Sequence, residues 1–213
     1  MVANERTFDT TVVTEGGIDF GIVSTTPDHR TLVYGVDPRM QPFAQGLVDL
    51  RTRSGAPAHA PATYLAEIQS GEYGGYAGVT LAPSFLDDPE FQPNKPAPLL
   101  AVARHCLTDG TVRIDNVAVD RQLRQSGEEA DKNLYRIAGL LAFQRALQGA
   151  PDTLPVRVLM LHASRIGERA LVQAGFLGYT DKLGNRLGFQ ASSAGRAQTG
   201  ISKALKRFSL VSA

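Results

Sequence analysis

The sequence predicts an α/β (α+β) protein: a mixed, mostly antiparallel twisted sheet flanked by helices. Three observations predict it. β-Branched runs recur around Gly-Gly and Asp-Gly turns, and two later segments carry apolar residues at helical spacing. The order along the chain is strands, hairpin, helix, strand, helix, hairpin, which suits a sheet layer covered by helices.

Taken in order, Thr10 to Ser24 reads as a hairpin around Gly16-Gly17, with a third strand at Thr31 to Val36. Met40 to Arg51 places Phe43, Leu47 and Leu50 at helical spacing, and Ala62 to Gln69 reads as a shorter helix; both are expected at the surface. Tyr73 to Ala82 reads as a strand, and Pro83 to Pro98, with five prolines, as a long loop. Leu99 to Leu107 and Thr111 to Val119 bracket Thr108-Asp109-Gly110, a hairpin signal. Leu134, Ile137, Ala138 and Leu141 then mark the longest helix, with acids crowding its start and Gly149 and Pro151 ending it. Val156 to Leu161 reads as a buried strand, Arg165 to Ala174 as a helix stopped by Gly175, and Phe176 to Lys182 with Arg186 to Ala191 as a last hairpin.

The chain has 213 residues, 43% of them hydrophobic, with 22 Lys+Arg against 21 Asp+Glu. A chain of this length buries roughly 70% of its unfolded surface and needs no disulfide or structural metal. Cys106 is the single cysteine, and His29, His59, His105 and His162 show no ligand spacing, so no metal is expected. No apolar run approaches the roughly 18 residues of a membrane span, and Met1 to Thr7 has no apolar h-region, so the expected location is cytoplasmic. The formal charge of +1 excludes a strong field for nucleic acid, although every acid lies at or before Asp181. Residues 1–193 read as one domain, clearest over 99–191, with 1–40 a candidate added strand layer. Residues 194–213 read as a basic amphipathic tail, either a helix packed on the domain or a docking face for an acidic partner such as an acyl-carrier protein or RNA.

Val117-Ala-Val-Asp-Arg-Gln-Leu-Arg124-Gln-Ser-Gly127 joins the end of a strand to the start of the longest helix, a place suited to an anion. Here the sequence resembles the GNAT superfamily of acyl-CoA-dependent N-acetyltransferases. A strand ending in a V-x-V-like stretch, a short turn and an R/Q-x-x-G opening of the main helix are that family's signature. The later strand, the helix ending in Gly175-Phe176 and the final strand pair agree with it, over about Leu99 to Ala191. The resemblance implies that Val117 and Val119 align the pantetheine of acetyl-CoA or another acyl-CoA. It implies that Arg124, Gln125, Ser126 and Gly127 hold the pyrophosphate, with Ser164 at the start of the second helix.

The departures bear on the same site. Glu129 stands where the family offers Gly or Ala, and Leu171 stands where many members carry a tyrosine that protonates the departing thiolate; Ser164 replaces an Asn. Carboxylates at Glu128, Glu129 and Asp131 compete with a phosphate for the helix's positive end, while Ser126-Gly-Glu-Glu129 also fits a capping box.

Amine attack on a thioester needs a base and a stabilised oxyanion. Asp115 precedes Val117, and period-two alternation puts Asp115, Val117 and Val119 on one face. His162 ends the next strand and is a candidate base, an unperturbed histidine titrating near 6.5, and Tyr179 is a candidate acid. Each also has a plain structural reading, as a solvent-facing strand Asp, a bonded loop His and a packed sheet Tyr. Three functions stand open: acetyl transfer to an amine of a small molecule or protein, acyl-carrier-protein-dependent N-acylation, and a binding module that has lost its cofactor. The final hairpin and the tail are natural places for a partner subunit such as a second copy.

Overall fold

The computed structural model describes residues 8–25, 40–70, 74–81, 98–159 and 164–208. The expected strand at 31–36 and all but Pro98 of the expected loop at 83–98 lie outside these. The elements in chain order are β1 (Phe8–Glu15), β2 (Ile18–Thr25), α1 (Met40–Ser54), α2 (Pro61–Ser70), β3 (Gly75–Leu81), β4 (Leu99–Thr108) and β5 (Thr111–Val119). They continue with α3 (Arg121–Gln125), α4 (Glu129–Leu147), β6 (Val156–Leu159), α5 (Arg165–Gln173), β7 (Leu177–Thr180), β8 (Arg186–Ala191) and α6 (Ala194–Leu205).

The eight strands form one sheet in the order β1-β2-β3-β4-β5-β6-β8-β7. Every neighbouring pair is antiparallel except β5 and β6, which run parallel. The mixed, mostly antiparallel α/β sheet is thus the one read from the sequence. β1 and β2 lengthen this sheet through pairing with β3 and form no layer of their own. Its hairpins are set by backbone chirality. Asp109 (φ 49°) and Gly110 (φ 66°) both take left-handed angles, which a two-residue turn between twisted strands requires.

Helices cover both faces. On one, α4 packs its apolar stripe of Ile137, Ala138, Leu140 and Leu141 on the sheet beside Ile114, Val156 and Val158, and α6 closes the edge with Ala197, Ile201 and Ala204. Residues 194–205 are therefore a packed helix. On the other face, α1 and α2 build a second core, correcting the expectation of surface helices. Met40, Phe43, Ala44, Leu47 and Leu50 are all fully buried, against Tyr64, Ile68, Tyr76 and Leu99. Met40 and Ala44 complete the i, i+3, i+4, i+7 row that Phe43 and Leu47 only begin.

Where α5 and α6 cross, Gly200 removes a side chain that would otherwise strike the neighbouring backbone. A Cβ there would lie 1.9 Å from the Ala174 carbonyl oxygen. Gly200→Ala is expected to destabilise the fold by about 2 kcal/mol or more, read as a lower urea midpoint. Gly127→Ala, whose Cβ would meet nothing within 4 Å, serves as the neutral control.

His105 on β4 pairs with Ile114, and its Nδ1 is buried without a hydrogen-bond partner. Burial, then the charge of Arg145, pushes its imidazole down to about 4. Because the folded value lies below the unfolded one, the unfolded chain takes up the proton first as pH falls. Stability should be full above about pH 7 and decline between about 6.5 and 4, by on the order of 2–3 kcal/mol. Urea unfolding at pH 7 and pH 5 tests this: His105→Phe is expected to shrink the difference between the two midpoints.

Candidate functional site

The β5–β6 ladder pairs Val112 with Val156, Arg113 with Arg157 and Ile114 with Val158, the last of these being its final pair among the described residues. Beyond it β5 runs on to Val119 with β4 as its partner, so its other edge opens on a cleft. Val117, Val119, Tyr135, Gly139, Phe143, Ser164, Gly167, Ala170 and Leu171 line that cleft, with Arg121, Arg124 and Arg136 toward its mouth. The cavity measures about 130 Å³, and among the described residues no Asp or Glu lines it.

The cleft's shape follows from one irregularity. Asn116 takes a left-handed φ of 51°, and the β4–β5 register shifts there, Arg104 facing Asp115 and Val102 facing Ala118. This is a β-bulge, and it reverses the alternation of the strand. Val117 and Val119 join Ile114 on the α4 side, while Asp115 and Ala118 face the α1–α2 side. The expected shared face of Asp115, Val117 and Val119 is therefore corrected. Simple alternation holds only where no extra residue intervenes.

Asp115 is buried and engaged. Its Oδ1 accepts from Arg104 Nε at 2.7 Å, and its Oδ2 lies 3.2 Å from Arg113 Nε in an ion pair without hydrogen-bond alignment. Arg104 also donates to Glu67 of α2 at 2.9 Å, and Glu67 accepts from the Tyr76 hydroxyl. Burial opposes the charge of Arg104, but the bond to Asp115 and the charges around it hold its pKa above the ordinary value. A carboxylate so held between two guanidinium groups is an anchor rather than a free proton acceptor.

Tyr179 pairs with Gly188 at the sheet's far end and is absent from the cleft lining. His162 lies outside the described residues. Ser164 does stand in the cleft: it caps α5, its Oγ accepting from Gly167 N at 3.1 Å, and lies 3.1 Å from the Tyr135 hydroxyl. Tyr135 went unread in the sequence, although Tyr135, Gly139 and Phe143 form a row at i, i+4 spacing facing the cleft. Gly139 lets the helix sit close to the strand, since a Cβ there would lie 3.4 Å from Val119 Cγ2.

The phosphate loop also differs from expectation. Arg121–Gln125 form a short helix capped by Asp120, whose Oδ1 accepts from Gln122 N at 2.9 Å. Ser126 N donates to Gln122 O at 3.0 Å, and Ser126 Oγ accepts from Glu128 N at 3.2 Å. These amides are spent within the turn. Of the four residues expected there, Arg124 lines the cleft, while Gln125, Ser126 and Gly127 do not. The capping box is not formed either: Glu128 is the N-cap of α4, without a side-chain bond. Glu129 instead accepts from Arg136 Nη1 at 2.6 Å, with Lys132 Nζ at 3.7 Å, and the Arg136 bond chiefly lowers its pKa. Asp120 has a second task, its Oδ2 accepting from Arg53 Nε at 3.0 Å and fastening α1 to the mouth.

No helix among the described residues is long and apolar enough to cross a membrane. No protein-family model matches the chain, and no curated protein sequence does. Among solved structures it is similar to the ribosomal-protein-S18-alanine N-acetyltransferase of Escherichia coli, at 11% identity and a TM-score of 0.44, over 79% of this chain and 90% of that one. It is also similar to the PaiA N-acetyltransferase of Thermoplasma acidophilum in complex with coenzyme A, at 10% identity and a TM-score of 0.35, over 80% of this chain and 98% of that one. Both of those structures are N-acetyltransferases.

Proposed function

We propose that the chain is a GNAT-type N-acyltransferase that moves an acetyl or other acyl group from acyl-CoA to an amine of a small molecule or protein. The observation that carries this reading is the cleft beside β5 past its last described pair with β6, lined by apolar residues together with Arg121 and Arg124 and, among the described residues, by no carboxylate. A narrow apolar slot with cations at its entrance suits an extended arm with phosphates at one end.

Acyl-CoA would supply the activated acyl group as a thioester. In this reading the open edge of β5 at Val117 and Val119 aligns the arm, and Arg121 and Arg124 offset the phosphate charge through their side chains. Tyr135, whose hydroxyl lies beside Ser164 in the cleft, is the proposed acid for the departing thiolate. His162, in the segment between Leu159 and Ser164, is the proposed base. Asp115 positions Arg104 and Arg113 from the other face.

One observation favours a carrier-protein donor as the second reading. The amides of Ser126 and Glu128 are already bonded, which matters less for a donor without an adenosine pyrophosphate. A groove between α5 and α6 lined by Arg196, Lys203 and Arg207 is a basic surface such a carrier could meet.

Calorimetric titration with acetyl-CoA and coenzyme A is expected to show micromolar binding. Arg124→Gln should weaken it about tenfold, the loss of a charge-assisted contact of ~1.4 kcal/mol. Tyr135→Phe and His162→Gln should lower kcat with little change in acetyl-CoA affinity. Absence of binding at millimolar ligand would defeat acetyl-CoA as donor. Glu129→Ala should leave the urea midpoint nearly unchanged, because no cap is lost, and should tighten coenzyme A binding by removing the carboxylate from Arg136; an unchanged affinity would place the phosphates elsewhere.

A further inference from the structure

Arg113 and Arg157 occupy directly paired positions on the two parallel strands and so share one face of the sheet. That face is the one opposite α4, since Val156, Val158 and Ile114 on either side of them point into the α4 core. Like charges on paired positions destabilise a sheet unless something lies between them. Of the two, only Arg113 is paired with Asp115. Arg157 is exposed and, among the described residues, has no carboxylate within ion-pair distance.

We propose that Arg113 and Arg157 bind the carboxylate of the acyl acceptor, with Tyr179 beside them, so that the acceptor is an amine that also carries a carboxylate; this rests on the acyl-transfer reading. Four features support it. Arg113 is set in place from behind, through Asp115 and Arg104 to Glu67 of α2, while its side chain stays 43% exposed. Among the described residues no ion pair answers Arg157, so its guanidinium, paired with that of Arg113, offers a positive charge to a monoanion. Tyr179, opposite Gly188, stands on the same face. Burial raises its pKa, while the charges of Arg157 and Arg113 draw it back, so its hydroxyl lies within reach of both fields.

The fourth feature is position. The arginine pair lies one residue before Ile114 and Val158, the last ladder pair among the described residues. A residue rises ~3.3 Å along a strand, so a carboxylate held there lies a few ångströms from the opening, and an amine a few bonds further along the same molecule reaches the cleft.

The test is an NMR titration of the full chain with N-acetyl-L-alanine and N-acetyl-L-alaninamide, which differ only in the carboxylate and contain no reactive amine. The acid is expected to bind at least about tenfold more tightly than the amide, a difference of ~1.4 kcal/mol. Arg157→Gln should abolish that preference, and Arg157→Lys should keep part of it, with acetyl-CoA affinity unchanged in both. Equal binding of acid and amide, or a preference that survives Arg157→Gln, would overturn the proposal. So would tighter binding of inorganic phosphate than of the acid, which would make the pair a phosphate site. Discrimination without acetyl-CoA binding would uphold the carboxylate site and defeat the acyl-transfer reading; acetyl-CoA binding without discrimination would do the reverse.

Discussion

The left-handed turn of Asn116 is the constraint on which the rest of the site depends. An extra residue in a strand costs ladder hydrogen bonds locally, and the strand answers by bending and reversing its faces. Here that reversal delivers Val117 and Val119 to α4 and leaves Asp115 with α1 and α2. It falls just past Ile114, which makes the last pair with β6 among the described residues. Bulge and opening together turn a continuous sheet into a wall with two differently furnished sides.

Each side has its own chemistry because each has its own helices. On the α4 side small residues dominate the approach: Gly139 against Val119, Gly167 against the Ser164 hydroxyl. The space they leave is lined by Tyr135 and the apolar ends of α5. On the other side the sheet carries charge, and α2 meets it with Glu67 rather than with a hydrocarbon. Asp120 joins the two halves, capping α3 with one oxygen and holding Arg53 of α1 with the other.

Most of the fold was legible in the sequence because it rests on local rules. The Asp109-Gly110 turn, the stripe of α4 and the Gly175 stop each follow from chirality or period, and each is found where those rules put it. The site was less legible. Whether Asp115 shares a face with Val117 depends on one backbone angle at Asn116, and asparagine's tolerance of left-handed angles was the sole sign of it. The engagement of Ser126 and Glu128 within a turn depends on the short helix α3, five residues with no apolar pattern to announce it. Tyr135 was hidden for a different reason, since it lies one position off the stripe that defines α4, and only the cleft shows that this second row is used.

The cluster of Tyr76, Glu67, Arg104 and Asp115 has a consequence for how uniquely the chain folds. Buried ion pairs add little net stability, because desolvation offsets most of the attraction. They are unforgiving of displacement, however. Sliding α2 by one turn would carry Glu67 away from Arg104 and from the Tyr76 hydroxyl and leave charges buried without their partners. Hydrocarbon contacts around Tyr64 and Ile68 would tolerate such a slip far better. The second layer is therefore indexed to the sheet by charge: packing brings α2 close, and the carboxylate decides which of several similar seats it takes.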